Sequence, residues 1–303
     1  MQVLTDENAD LLAAVDDDIH RLIDEHLERR EHWYFHEYVP WERGESYKDR
    51  PWDKSQTTIP EPAQTALVLN LLTEDNLPYY HASLDQAAPE GSGLKRWGGI
   101  WTAEENQHGI AMRAYLMCSR NCDPHMLEDD RLATMKAGWS PEIDSPAHLM
   151  AYTAIQELAT RVSHRNAGKI SGDDDCFELM RLIASDENHH FIFYKGVMAA
   201  MLEISPTKAL EGICQTLLDF KMPGFVMPQY LRRSVKVAKA GVYNMRIHHD
   251  RVLQPVLREW GIGNLTGLTA KGAELQDRIM ELPNKTVEMA ERFEARYGAS
   301  EVA

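Results

Sequence analysis

Two segments of the 303-residue chain, AEENQHG at 103–109 and SDENHHF at 185–191, share the pattern acid–Glu–Asn–x–His at a separation of 82 residues. Residues three apart on a helix share a face, so each segment sets a carboxylate beside an imidazole. Taken alone, the second segment can be read in two frames, Asp186 with His189 or Glu187 with His190. The first segment breaks the tie: Gln107 stands where His189 would need a counterpart, so only Glu105-x-x-His108 and Glu187-x-x-His190 recur. Met180, Ile183, Ala184, Phe191, Tyr194, Met198 and Met201 fall on the face of Glu187 and His190 by three-and-four spacing, the mark of an inward stripe. Asp186 and His189 share a neighbouring face with Leu179, Leu182 and Phe193, which puts them beside the site.

Each pair has an acid on a core-facing stripe one helix and a loop upstream. Glu74 lies 31 residues before Glu105, on a face with Leu67, Leu71 and Leu77, and Glu157 lies 30 before Glu187, preceded on its face by Met150 and Ala154. The halves are displaced by 83, 82 and 82 residues at the three positions. Two Glu-x-x-His helices and two helices with one Glu each are the donor set by which four-helix bundles hold two metal ions. Four carboxylates on inward stripes would each cost on the order of several kcal/mol without a counter-charge. Two cations supply it, and oxygen donors with imidazole suit iron or manganese. The expectation is an all-α, ferritin-like four-helix bundle with additional peripheral helices. Its metal ligands are Glu74, Glu105, His108, Glu157, Glu187 and His190.

The rest of the chain agrees with helices. Segments rich in Ala, Leu, Met, Glu and Arg alternate with short Pro/Gly/Asp breaks, giving candidate helices at 9–36, 62–86, 94–119, 126–137, 146–168, 173–203, 206–220, 224–254 and 268–297. Ser145–Pro146 reads as a cap followed by a first-turn proline, and Asp173, Asp174 and Asp175 as a helix start rather than a metal site. Residues 1–303 read as one domain with a core at about 62–255, an N-terminal helix and connector at 1–61 and a peripheral segment at 256–303. No apolar run is long enough to span a bilayer, and the acidic start does not read as a signal peptide, so a cytoplasmic protein is expected. Cys118, Cys122, Cys176 and Cys214 lack CxxC spacing and read as buried thiols. A net charge of −15 argues against nucleic acid and anionic membranes. His248 and His249 fall outside the ligand pattern and read as surface or structural histidines.

These motifs resemble those of the soluble acyl-acyl-carrier-protein desaturases. WTAEENQHG (101–109) is similar to their WTAEENRHG, DENHH (186–190) to DEKRH, LTEDNLPYY (72–80) to TEEALPTY, and QELATRVSHRN (156–166) to QERATFISHGN. KMPGFVM (221–227) and GVYN (241–244) also have counterparts, so the resemblance covers about 62–255. It implies two iron ions on the six ligands, with Glu105 and Glu187 bridging, and O2 as co-substrate. It implies a cis double bond introduced into a saturated fatty acyl chain on acyl carrier protein, electrons from a ferredoxin-type donor, and a homodimer. By the same resemblance Thr160 lies at the oxygen-binding face and Asp186 belongs to an electron relay, whose outer tryptophan would be Trp41 or Trp52. Gln107, Ile110, Asn188 and His189 depart from the family's arginine, aspartate, lysine and arginine, which bears on the surface that receives electrons.

Acyl carrier protein is acidic, so a chain at −15 needs a local basic patch to receive it. Arg232, Arg233, Lys236 and Lys239 are the candidate docking patch, with LKRW (94–97) a weaker second. Trp101, Met112 and Met150 are candidates for an acyl-tunnel wall, with core filling the plainer role for each. Another di-iron oxygenase, an acyl hydroxylase or N-oxygenase, would use the same ligands. A non-catalytic acyl-carrier-protein binder would not need all six.

Overall fold

The computed structural model describes residues 6–298, and among them there is no strand. The helices are α1 (Asp6–Ala14), α2 (Asp16–Arg29), α3 (Glu61–Asp75), α4 (Leu77–Ala87), α5 (Gly93–Cys118), α6 (Pro124–Ala137) and α7 (Pro146–Ser171). They continue as α8 (Asp174–Ile204), α9 (Pro206–Asp219), α10 (Tyr230–Lys239), α11 (Met245–His248), α12 (Gln254–Glu259) and α13 (Ala270–Tyr297). Four of them close a ring: α3 packs on α5, α5 on α8, α8 on α7 and α7 on α3. The connection from α5 to α7 carries α6 and forms the long crossover of this type of bundle. Outside the ring, α2 lies against α5 and α8, α10 against α3, and α9 against α7, α8 and α13. No helix among the described residues is long and apolar enough to cross a membrane.

Local chemistry sets the ends that matter for the site. Ser145 caps α7 by accepting from the His148 amide at 3.1 Å, with Pro146 in the first turn. α7 stops at Gly172, whose φ of 66° is the left-handed conformation glycine adopts freely. One residue later Asp173 caps α8 by accepting from the Cys176 amide, so the acidic run 173–175 is a helix start as expected. This two-residue link makes α7 and α8 an antiparallel hairpin in which Glu157 and Glu187 can face each other.

Three expected helices break. The segment 62–86 divides at Asn76, because Pro78 has no N–H to donate to the Glu74 carbonyl four residues back and sits instead in the first turn of α4. Asn76 is buried and exchanges hydrogen bonds with the backbone of Trp139. The segment 9–36 breaks at Val15 and ends at Arg29; Arg30 turns extended. The segment 224–254 is a 3-10 turn at Pro223–Val226, then α10, a left-handed Gly241 (φ 71°), α11, a π-helical turn at His249–Leu253 and α12.

Two apolar clusters fill the bundle. One includes Leu94, Trp97, Trp101, Leu149, Ile155, Phe193, Tyr194 and Met198, with the Trp97 and Phe193 rings stacked 3.7 Å apart. The other includes Leu67, Leu71, Met112, Tyr115, Leu116, Leu179, Met180 and Ile183. Along both α5 and α8 the residues between these clusters are the Glu-x-x-His pairs, so apolar residues flank the polar site above and below, while an open pocket beside Phe35 and Ile110 reaches Glu74 and Glu105 from the side. All four cysteines are free and buried. His248 is buried, shares a hydrogen bond with the Tyr243 hydroxyl at 2.8 Å and stacks on Phe220, a structural histidine as expected. His249 faces Asp250 at 2.5 Å.

Candidate metal centre

The ring brings all six expected residues together: Glu74 from α3, Glu105 and His108 from α5, Glu157 from α7, and Glu187 and His190 from α8. Each is buried. They form two quartets, Glu74–Glu105–His108–Glu187 and Glu105–Glu157–Glu187–His190, in each of which the donor atoms lie within 4.8 Å of one another. Glu105 and Glu187 belong to both. The Nδ1 of His108 stands 3.3 Å from Glu105 and 3.6 Å from Glu187, and that of His190 stands 2.8 Å from Glu105 and 3.6 Å from Glu157.

Whether the chain fits a metal pair can be asked of its buried polar atoms. His108 Nδ1, His190 Nδ1, Glu105 Oε1, Glu157 Oε2 and Glu187 Oε1 are buried without a hydrogen-bond partner. Buried donors and acceptors are ordinarily paired, so five orphans aimed into one space mark a place for electron-pair acceptors. The donor set is oxygen and imidazole, which suits iron or manganese.

The opposite ring nitrogens are held from behind, and crosswise. His108 Nε2 meets Asp186 of α8 at 3.2 Å, while His190 Nε2 meets Glu104 of α5 at 2.9 Å. These carboxylates orient each ring and fix Nε2–H, which leaves Nδ1 as the nitrogen that binds a metal once it gives up its proton. They are anchored in turn. Arg30 donates to both oxygens of Asp186 (3.2 and 2.9 Å), Trp33 Nε1 donates to the same carboxylate at 2.9 Å, and His26 Nε2 reaches Glu104 at 3.1 Å. Thr160 Oγ1 donates to Glu187 Oε2 at 2.9 Å. His164 Nε2 lies 3.4 Å from Glu74 and 3.2 Å from Glu187.

Electrostatics of the metal-free cluster follow from this crowding. Burial, reinforced by the charge on Glu105, pushes the Glu74 carboxyl up to about 8. Burial and the charges of Glu105 and Glu187 likewise raise Glu157 well above the carboxylate range. For Glu104 burial acts upward, but hydrogen bonds from His190 and His26 outweigh it and hold the carboxyl at about 2. The imidazoles of His108 and His190 are held well above their ordinary value, because neighbouring carboxylates overcome the burial that would lower them. His164 is raised to about 9 in the same way, by Glu187 and Glu74.

A narrow apolar pocket abuts the cluster, lined by Tyr80, Leu84, Trp101, Leu149, Tyr152 and Tyr194 among others. Trp101 is its link to the acids, since its Nε1 donates to Glu157 Oε1 at 3.0 Å. Met112 and Met150 fill the core instead and do not line the cavity.

Several participants escape a reading of the sequence. Glu104 could have been found: it is the counterpart of Asp186 across the 82-residue repeat, and the structure gives the two acids equivalent roles. His26, Arg30 and Trp33 carry no local signal. Trp41 and Trp52, the candidates for the outer tryptophan of a relay from Asp186, do not reach that carboxylate. Trp41 is half exposed and donates to the His36 carbonyl, and Trp52 donates to that of Arg120. The end of α2 at Arg29 places Trp33 there instead. His189 stays at the rim, with its ring 6.1 Å from that of His26. The basic patch on α10 is largely spent: Arg233 pairs with Asp130, Lys236 with Glu61, and Lys239 lies 4.1 Å over the Tyr297 ring. Arg232 is exposed.

The cross-held rings carry a prediction. Asp186→Asn keeps the shape but removes the charge that fixes the His108 ring, so metal affinity should fall by roughly 10- to 100-fold. Competition with a chromophoric chelator measures it, and an unchanged affinity would remove Asp186 from the positioning role.

Comparison with known proteins agrees with this site. The fatty acid desaturase family model matches residues 7–303. A Mycobacterium tuberculosis protein named provisionally as the acyl-acyl-carrier-protein desaturase DesA1 is 39% identical over 296 residues, covering 94% of this chain and 87% of that one. The chloroplastic stearoyl-acyl-carrier-protein 9-desaturase of Spinacia oleracea is 27% identical over 284 residues, with 87% and 71% covered. The crystal structure of DesA2 from M. tuberculosis, named in the same provisional way, superposes with a TM-score of 0.70 at 24% identity, covering 88% of this chain and 98% of that one, and so shares the fold. Matched over nearly its whole length, the chain belongs to the fatty acid desaturase family.

Proposed function

We propose that the protein is an O2-dependent desaturase that introduces a cis double bond into a saturated fatty acyl chain carried on acyl carrier protein, using a carboxylate-bridged di-iron centre. The observation that carries this reading is the pair of buried quartets sharing Glu105 and Glu187, with orphaned donor atoms turned inward. The names of the relatives support the acyl-carrier-protein substrate.

In the balanced reaction the two hydrogens lost by the acyl chain combine with dioxygen, two electrons and two protons to give two waters. Bound iron with dioxygen supplies the oxidant for an unactivated C–H bond, which no side chain can provide. The chain's own residues do the rest. Glu74 and His108 would hold one ion and Glu157 and His190 the other, with Glu105 and Glu187 between them. Asp186 and Glu104 keep the imidazoles turned, and Thr160 holds its hydroxyl proton toward Glu187 Oε2. The aromatic cavity would take the acyl chain beside Glu157 and keep water from it. The electrons would come from a ferredoxin-type donor. A homodimer belongs to the same reading.

The test supplies iron, a reductase–ferredoxin pair and saturated acyl carrier proteins of several chain lengths, with products analysed by mass spectrometry. The expected product is lighter by two hydrogens. A hydroxylated product would shift the reading to a hydroxylase, and neither product from iron-loaded protein would end it.

A further inference from the structure

A row of cations lies on α7, on the side turned away from the acyl cavity. Leu149, Tyr152, Thr153 and Gln156 face that cavity, whereas Leu158, Arg161, Val162, Arg165 and Lys169 line a separate open groove. Its far wall is the π-helical turn and α12, which contribute Arg251 and Arg258. Among the described residues none of these five cations has a carboxylate partner within ion-pair distance. The nearby Glu259 is taken by Lys195 and Asp250 by His249. Arg161 is partly buried, and burial with the repulsion of Arg165 acts against its charge more than the nearby Glu259 supports it. A partly desolvated guanidinium with no carboxylate in ion-pair contact is a cost that an incoming anion relieves.

Three features narrow the anion. The cations on α7 recur at every fourth residue, a row of about 12 Å rather than a single focus, which suits an extended acidic surface more than one phosphate. The groove is closed to the acyl cavity by the thickness of α7, so a carrier whose acyl chain fills that cavity cannot also sit here. Yet Leu158 and Asn188, which line the groove, are chain neighbours of Glu157 and Glu187, so its floor is about one helix diameter, ~10 Å, from the metal cluster. An approach through Trp33 and Asp186 is flanked by the exposed Glu28, Glu31 and Glu37 and lacks the family arginines that Gln107 and His189 replace. Conversely, Arg161 and Arg165 stand where the family motif QERATFISHGN has phenylalanine and glycine.

We propose that the groove between α7, α8 and α12 is the docking surface for an acidic one-electron carrier protein, with Arg161 and Arg165 as its principal contacts. This rests on the desaturase reading above. In this chain the family arginines at positions 107 and 189 are absent while Arg161 and Arg165 add charge on α7, and the electron donor docks on that added charge.

Binding of an acidic 2Fe–2S ferredoxin to the full-length protein, measured by biolayer interferometry at low and high salt, tests the proposal. Arg161→Glu/Arg165→Glu is expected to weaken binding at low salt by about tenfold or more and to flatten its salt dependence, through lost steering and contact. Arg165→Glu/Arg258→Glu, both at exposed positions, should weaken it in the same sense and covers the case in which a carboxylate at position 161 disturbs the fold. Arg232→Glu should leave it unchanged, and binding of acyl carrier protein should be unaffected in both double variants. Wild-type binding in the double variants, or no binding by the wild type at low salt, overturns the proposal. Loss of acyl-carrier-protein binding instead gives the groove to that carrier. Displacement of ferredoxin by sub-millimolar pyrophosphate gives it to a small anion, and conversion of a dimer to a monomer gives it to a second copy. Single turnover after reduction by dithionite separates the two readings: product formed by the variants keeps the desaturase reading whatever the binding shows, and no product from the wild type removes that reading alone.

Discussion

Glu187→Ala is expected to abolish the binding of both metal ions, whereas His189→Ala, two residues away, should keep about two per chain. Glu187 is one of the two residues common to both quartets. Its removal takes a donor from each, and it strips His108, His164 and Thr160 of a shared partner. His190→Ala removes a donor from one quartet only, so it should lose one ion more readily than the other. The His189 side chain points to the rim against His26 and meets no member of either quartet. Metal content by elemental analysis, with desaturation of acyl carrier protein alongside, reads the series. Activity should track metal and vanish in Glu187→Ala. Full metal content in Glu187→Ala, or loss of it in His189→Ala, would reverse the choice between the two helical frames and sink the assignment.

That choice is legible in the sequence because the constraint repeats. One Glu-x-x-His is a common accident, but two of them at matching distance from an upstream acid leave little freedom in how four helices can close. The same rule applied one residue earlier pairs Glu104 with Asp186, since both precede the metal-facing glutamate. What the sequence hides is the part built by non-repeating contacts. Arg30 and Trp33 reach Asp186 across more than 150 residues, and nothing in the extended segment after α2 announces this. The break at Asn76 is readable from Pro78, while the buried Asn76–Trp139 exchange that fixes it is not. The α10 patch shows the limit of counting charges: spacing finds the cations, but only packing reveals that Asp130, Glu61 and Tyr297 already engage three of the four.

Loading the metal-free protein at pH 7 should release about three to four protons per chain, and affinity should rise with pH between roughly 6 and 9. The sign comes from the groups that must give up protons. Glu74, raised to about 8 by burial and by Glu105, is a neutral carboxyl in the metal-free chain at pH 7, and Glu157, raised well above the carboxylate range by burial and by Glu105 and Glu187, holds its proton more tightly than a free carboxyl. His108 and His190 are protonated there, their carboxylate neighbours having overcome burial. Metal ions need the deprotonated form of all four, so protons compete with them. The same shifts govern stability without metal. A carboxyl whose folded pKa is raised loses stabilisation as pH climbs from its unfolded value, about 4.3, to its folded one, and a histidine raised above about 6.5 loses it as pH passes its folded value. Both trends run downward, and the histidines that burial lowers, His248 to about 4, complete their opposite contribution by about pH 6.5, so the melting temperature of the metal-free protein should fall from pH 6.5 to 8.5. Glu104, Asp186 and Glu187, all held low, lose their contribution only in more acid solution and do not offset it in this window. The metal-loaded protein replaces those protons with fixed cations and should melt at nearly constant temperature over the same range. Calorimetry of the two forms and pH-indicator titration on metal addition check both halves. A metal-free melting temperature that rose with pH would mean that the cluster's acids are charged before the metal arrives.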